Sequence, residues 1–258
     1  AGTVPLAPDK AIYFKMDTVI LSIFKSPEQV GIYGASYRVL EIMVTFPHMF
    51  MGLVLPVLTA AWISRDIARI DRIWQKAFLF FSIITVPLIT GTLVLGIPVM
   101  KLVAGSEFAA SGDILKILIL ATAAIFFGTL GNYLVLVLDR QRFLIKFFLL
   151  NAVGSVIGYL LFIPHYSYWG AAWVTVVSEF FIVLAAWLVI RPTLSLSIPW
   201  RSAFKILIAS ILMAGYAYAV STTLPLLVVL ATSGVIYAAL LVALRAVSIQ
   251  ELKTLMRP

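Results

Sequence analysis

Seven stretches of this chain each run for 20 residues or so with scarcely a charge. As helices rising about 1.5 Å per residue, such runs cross a hydrocarbon layer of roughly 30 Å. They span approximately residues 33–63, 77–100, 114–138, 143–164, 169–190, 203–221 and 224–247. None shows sustained period-two alternation, so barrel strands of about 10 residues are excluded and the fold class is all-α: a polytopic transmembrane helix bundle. Composition agrees, because 62% hydrophobic and 12% charged residues, with a mean hydropathy of +1.08, leave too little polar surface for a water-facing shell. With no cysteine, a disulfide scaffold is excluded as well. An eighth segment, residues 11–24, carries Lys15 and Asp17 and becomes a crossing only when extended back past Asp9 and Lys10. Its upstream end reads as cut or replaced, since Ala1 to Pro8 resembles neither a signal peptide nor an ordinary start.

The formal net charge of +8 would suggest nucleic acid in a soluble protein, but here its distribution is a topology signal. Arg65, Arg69, Arg72 and Lys76 lie in one connector. Arg140, Arg142 and Lys146 follow two connectors later, then Arg191, Arg201 and Lys205, then Arg245, Lys253 and Arg257. If eight spans alternate, all of these share one side. The opposite connectors balance Lys25, Lys101 and Lys116 against Glu28, Glu107 and Asp113. The positive-inside rule makes the first side cytoplasmic, with both termini there, and no nucleic-acid partner is implied. Within residues 65–76, Ile67, Ile70, Ile73 and Trp74 share one helical face and the basic residues the other, so this stretch is expected to lie along the cytoplasmic surface against anionic lipid. Ser248 to Glu251 has the form of a capping box opening a terminal helix.

Five ionisable side chains fall inside spans: Lys15, Asp17, Arg38, Glu41 and Glu179. Each costs about 2.5–3.5 kcal/mol to insert, so each must face protein, a partner or a watery cavity. Arg38 and Glu41 stand three apart on one helix face, near enough to pair. Lys15 and Asp17 diverge, so one lines a cavity while the other meets a neighbouring helix. A structural ion-pair network and a transport role are both compatible with the set. Asn132 and Asn151 are cavity-polar candidates whose commoner role is bonding across helices. His48 and His165, with no cysteine, make a metal site unexpected, and no cofactor is implied. The chain has no nucleotide-binding GxxxxGK[ST], no HExxH and no GxSxG, so it is not expected to be an enzyme. Prolines 47, 56, 87 and 98 lie in or at the ends of spans and permit kinks, and Gly154 and Gly158 form a small-residue stripe.

Several segments in order resemble one family. They are residues 11–17 (AIYFKMD), 30–41 (VGIYGASYRVLE), Pro47 with Leu55-Pro56, and 104–108 (AGSEF) leading to 114–118. Then come 139–142 (DRQR) and 168–173 (YWGAAW) continuing to Ser178-Glu179. Together they resemble the polysaccharide-biosynthesis, or Wzx-like, flippases of the MOP superfamily, which includes the MATE antiporters and the lipid II flippase MurJ. The likeness covers what corresponds to the C-terminal half of a fourteen-helix transporter. It implies a six-helix C-terminal lobe over residues 1–190, with an altered first helix, and two further helices with a cytoplasmic tail over 191–258. It also implies a missing N-terminal lobe or second copy, so that a fragment is the simpler expectation.

The resemblance further implies movement of an undecaprenyl-pyrophosphate-linked oligosaccharide from the cytoplasmic to the outer leaflet of a bacterial or archaeal cytoplasmic membrane (a cell inner membrane) by alternating access. Lys15 or Arg38 would attract the pyrophosphate, and Asp17, Glu41 and Glu179 would hold those cations or couple transport to H⁺ or Na⁺. Two alternatives remain: a MATE-like antiporter of cationic compounds, and a membrane enzyme of lipid-linked glycan assembly. The second would need a large outer loop, whereas the longest outer connector, Lys101 to Asp113, has about 13 residues.

Overall fold

The computed structural model describes residues 16–246 and, within them, an all-helical bundle. Its helices are α1 (Met16–Phe24), α2 (Pro27–Ile63), α3 (Ile67–Ala104), α4 (Ser111–Val137), α5 (Gln141–Ile190), α6 (Trp200–Val220) and α7 (Leu226–Ala243), with a 3₁₀ turn, Ser106–Phe108, ahead of α4. Helices α2 to α7 are all long and apolar enough to cross a membrane, which makes this a multi-pass membrane protein. Lys15 and the Ser248–Glu251 capping box lie outside the described residues.

At 50 residues α5 would extend about 75 Å if straight, far more than a bilayer needs. Instead it folds back at Ser167, whose φ of 54° and ψ of −139° are not helical. Its arms, residues 141–166 and 168–190, therefore form the two separate spans the hydropathy pattern predicts. The turn is tight enough that a β-carbon on Gly170 would sit 2.6 Å from the Phe162 carbonyl oxygen, so only glycine fits there. On the outer surface of this turn Lys25 Nζ donates to the Pro164 carbonyl at 2.9 Å and Ser167 Oγ donates to Gln29 Oε1 at 3.0 Å. These bonds tie the α1–α2 junction to the tip of the hairpin.

Helix α4 is apolar around its whole circumference, and the structure buries it accordingly between α2, α3 and α5. Two core clusters form along it: Tyr33, Leu40, Leu118, Ile163 and Ala171 near its start, and Met51, Leu58, Phe81, Phe126, Leu134 and Ala186 near its end. Small residues set the spacing. A β-carbon on Gly131 would lie 2.9 Å from that of Ala186, and one on Gly96 would lie 2.8 Å from the Gly112 carbonyl oxygen. A reciprocal serine pair joins α2 to α4. Ser36 Oγ donates to the Ser111 carbonyl (2.6 Å) and Ser111 Oγ to the Ile32 carbonyl (2.7 Å), consuming hydroxyls that would otherwise be unpaired in an apolar interior.

Helices α6 and α7 lie against α3 and each other. Pro87 has no amide proton to give the Ile83 carbonyl one turn earlier, and the hydroxyl of Tyr237 on α7 donates to that carbonyl at 2.9 Å. A proline in the middle of a span thus becomes a docking point for another helix. Both α2 and α3 continue as helices through all four of their internal prolines.

One expectation is corrected here. Residues 67–76 form no separate surface helix but are the first turns of α3 itself. Ile70 is fully buried, and Ile73 and Trp74 pack against the core cluster around Phe81, so most of the apolar face finds protein, while Ile67 at the helix start stays exposed. Asp66 caps the helix by accepting from the Arg69 amide at 2.8 Å. Farther along, Asp71 holds the α5–α6 connector: its carboxylate accepts the Ser197 amide (2.8 Å), the Ser197 hydroxyl (2.6 Å) and Gln75 Nε2 (2.7 Å).

Partial burial of Asp71 works to raise its pKa, but the bonds from Ser197 and Gln75 outweigh it and hold the carboxyl below its ordinary value of 3.8. A carboxylate with a lowered folded pKa stabilises the fold above its unfolded pKa, and that contribution disappears as pH falls through the folded value. Asp71→Asn is therefore expected to cost about 1 kcal/mol at neutral pH, kept small because Ser197 is exposed to competing water. Thermal unfolding in detergent should show the gap between wild type and variant close below pH 4.

Candidate functional site

The predicted carboxylates converge where α1, α2 and both arms of α5 meet. Asp17, on α1, is 2% exposed. Its Oδ2 accepts the Tyr33 hydroxyl at 2.5 Å, and its Oδ1 accepts the Thr18 amide at 2.6 Å and the Thr18 hydroxyl at 3.2 Å. The Tyr33 oxygen lies 3.4 Å from Thr175 Oγ1, which lies 3.1 Å from the Tyr159 hydroxyl and also donates to the Ala171 carbonyl at 3.0 Å. Tyr33, Tyr159 and Thr175 are all buried. An unbroken run of oxygen atoms thus links a carboxylate on α1 through α2 to both arms of the hairpin.

Helix periodicity extends the network. Tyr33, Tyr37 and Glu41 follow one another at intervals of four on α2, and Thr175 and Glu179 do the same on α5. Tyr37, buried and with its ring 5.6 Å from that of Tyr33, is within electrostatic reach of Asp17, Glu41, Tyr159 and Glu179. Glu41 and Glu179 are themselves half-buried. The three acids singled out from the sequence are therefore gathered around one tyrosine cluster. Hydropathy does not single out the tyrosines, because it marks charge alone; the one signal for them in the sequence is the spacing of four that carries Tyr33 and Tyr37 toward Glu41.

Arg38 points the other way. It lies on the exposed side of α2 with Ile42, Thr45, Met49 and Leu53, and at one edge of that face the ring of Phe46 packs against Phe80 of α3 and Phe126 of α4. Asn132 has its side-chain carbonyl buried without a hydrogen-bond partner among the described residues. Asn151 is buried in the first arm of α5 and lines an apolar groove between the two arms with Leu150, Gly154, Trp173 and Phe181. The rings of His48 and Tyr133 lie 6.3 Å apart and tilted by 47°, and the Tyr133 hydroxyl donates to the His48 carbonyl at 3.4 Å.

In a multi-pass bundle, a buried carboxylate–tyrosine cluster and a cation on an exposed helix face mark a candidate functional site. Residues 10–113 match the family described as polysaccharide biosynthesis protein. Over 106 residues, 41% of this chain, the sequence is 26% identical to the probable low-salt glycan biosynthesis flippase Agl15 of Haloferax volcanii. The match covers 22% of that relative's length. Both similarities support a polysaccharide-biosynthesis flippase-like protein.

Proposed function

We propose that the chain is part of a flippase that carries a lipid-linked oligosaccharide from the cytoplasmic to the outer leaflet by alternating access, with residues 1–190 forming a lobe and 191–258 an appended helix pair. The observation that carries this reading is the sealed Asp17–Tyr33–Thr175–Tyr159 network at the junction of separate helices. A carboxylate buried in a membrane protein is costly, and one whose hydrogen-bond network runs on through Tyr33, Thr175 and Tyr159 of three other segments changes its environment whenever those segments move. Binding or release of a proton or sodium ion at Asp17 then biases the helix arrangement. Glu41 and Glu179 lie beside the same cluster and contribute to its charge balance.

Arg38 is the cation that meets a pyrophosphate, since a guanidinium presents a forked donor set to phosphate oxygens. Lys15 is the second candidate for that role. Arg38 on this otherwise apolar face is costly against lipid, which favours another lobe or a second copy facing it across the cavity. Because the acids lie within the bundle while Arg38 occupies the open face, the surface offered to substrate is positive. That favours a phosphate-linked lipid over the cationic cargo of an antiporter.

The test is movement of a labelled lipid-linked sugar between leaflets in proteoliposomes. Arg38→Gln is expected to abolish transport while membrane insertion persists. No protein-dependent movement under any proton or sodium gradient overturns the proposal.

A further inference from the structure

Three helical stretches carry an exposed apolar stripe, and each stripe meets a basic residue at the same end of the bundle. In the first arm of α5, Arg142 and Lys146 lead at helical spacing into Leu149, Val153, Ile157 and Leu160. In the second arm, the stripe of Trp173, Val177, Phe180, Leu184 and Trp187 runs up to Arg191, whose guanidinium lies 5.2 Å from the centre of the Trp187 ring. On α6, Arg201 opens the stripe of Phe204, Ile211 and Tyr218. Large apolar side chains left exposed along membrane spans belong in hydrocarbon, so these stripes face lipid and their basic ends lie at headgroup depth. At the other end of the bundle the same stripes finish in Leu160, Trp169 and Tyr218, without a charge.

Packing holds these ends together. Leu144, Ile190 and Leu194 share a core cluster with Ile70 of α3, and Ser197 in the α5–α6 connector is bound by Asp71 of α3. Arg142, Lys146, Arg191 and Arg201 are all exposed, and no acid among the described residues pairs with any of them. The three acids at this end are otherwise engaged: Asp66 accepts the Arg69 amide, Asp71 the Ser197 amide and hydroxyl, and Asp139 the Gln141 Nε2 at 2.9 Å. Helices α5 and α6 also start without a capping side chain or an acid in the first turn, so nothing in their own sequence offsets these cations. Uncompensated charge at the head of lipid-facing stripes selects a partner that is anionic and lies in the plane of the membrane. The basic residues 65–76 are a separate set, since most of the apolar face they accompany packs on the core.

We infer that this rim binds the phosphate groups of anionic phospholipids, with the principal contact at the open end of the α5 hairpin, where Arg142, Lys146 and Arg191 lie on adjoining arms. The partner is the surrounding membrane surface and not the transported molecule, so the inference stands apart from the flippase reading. It makes the seating of the protein in the bilayer depend on headgroup charge.

The experiment places the full chain in phosphatidylcholine nanodiscs with a trace of photoactivatable phosphatidylglycerol or photoactivatable phosphatidylcholine, the diazirine near the glycerol backbone, and maps the labelled peptides. Phosphatidylglycerol is expected to label residues 142–150 and 187–201 about fivefold more than phosphatidylcholine, the ratio that about 1 kcal/mol per basic residue near an anionic surface gives. Peptides holding Trp169 and Tyr218 should show no preference. Raised salt should shrink the ratio, because exposed charges are screened. Arg142→Gln combined with Lys146→Gln should bring residues 142–150 to a ratio near one and leave the Arg201 peptide unchanged. Arg142→Lys combined with Lys146→Arg keeps both charges and should retain the preference. Equal labelling by the two lipids, a preference at both ends of the bundle, or a preference that survives the glutamine pair overturns the inference. So does full displacement of phosphatidylglycerol by a trace of polyprenyl phosphate, which would assign these residues to the transported lipid. Because labelling is read without transport, failure of the flippase reading leaves this result unaffected.

Discussion

Asp17→Asn is expected to reduce gradient-driven transport about a hundredfold, the scale on which a positioned proton-transfer group contributes. Asparagine keeps the volume but offers one acceptor oxygen where the carboxylate offers two, and it cannot exchange a proton or hold a cation by charge. The two carboxylate oxygens serve different partners, Tyr33 on one side and Thr18 on the other, so one of these loses its acceptor. Tyr33→Phe removes a single hydrogen bond to a charged group and should reduce transport by about tenfold. The measurement is ion-gradient-driven lipid movement in proteoliposomes, normalised to correctly inserted protein. If both variants fold, insert and transport at wild-type rates, the network is structural only. Loss of folded protein in both would assign it the same structural role.

The largest effect on folding is expected from Gly112→Ala. The added methyl would collide with the backbone of Ile97, whose amide nitrogen lies 2.6 Å from the β-carbon position and whose Cα is closer still. Backbone atoms of a packed helix cannot rotate aside as a side-chain tip can, so α3 and α4 must separate. Overpacking of this kind costs about 1–3 kcal/mol and sometimes more, and the reciprocal Ser36–Ser111 bonds one residue away would be strained with it. Gly215→Ala is the control. No atom lies within 4 Å of its β-carbon position, so the better helix propensity of alanine, about 1 kcal/mol, should leave stability unchanged or raised. Thermal unfolding followed by fluorescence-detected size exclusion separates the two.

Helix content and the approximate spans were legible because a bilayer imposes one length and one polarity on any chain that crosses it. The α5 hairpin was visible as two spans divided by PHYSYWG, since polar and aromatic residues have to break an apolar run at an interface. The basic residues 65–76 misled, because amphipathicity shows that a face seeks apolar cover without showing whether lipid or protein supplies it. Here the core supplied it, through Ile70 and Trp74.

The site divides in the same way. Hydropathy alone singled out Asp17, Arg38, Glu41 and Glu179, since a charge within an apolar run is conspicuous. Their opposite placements were not legible: Asp17 is sealed beneath Tyr33, while Arg38, on the same α2 helix as Tyr33, faces outward. Tyr159 and Thr175 are 16 residues apart in sequence and become partners only because the chain reverses at Ser167. By itself, then, the sequence determined that this is a helical membrane bundle and which few charges it must accommodate, because solvation in the bilayer acts on each residue locally. The tertiary structure alone decided which of those charges meet, which face outward and where a groove is left open, because such contacts depend on how helices distant in sequence pack together.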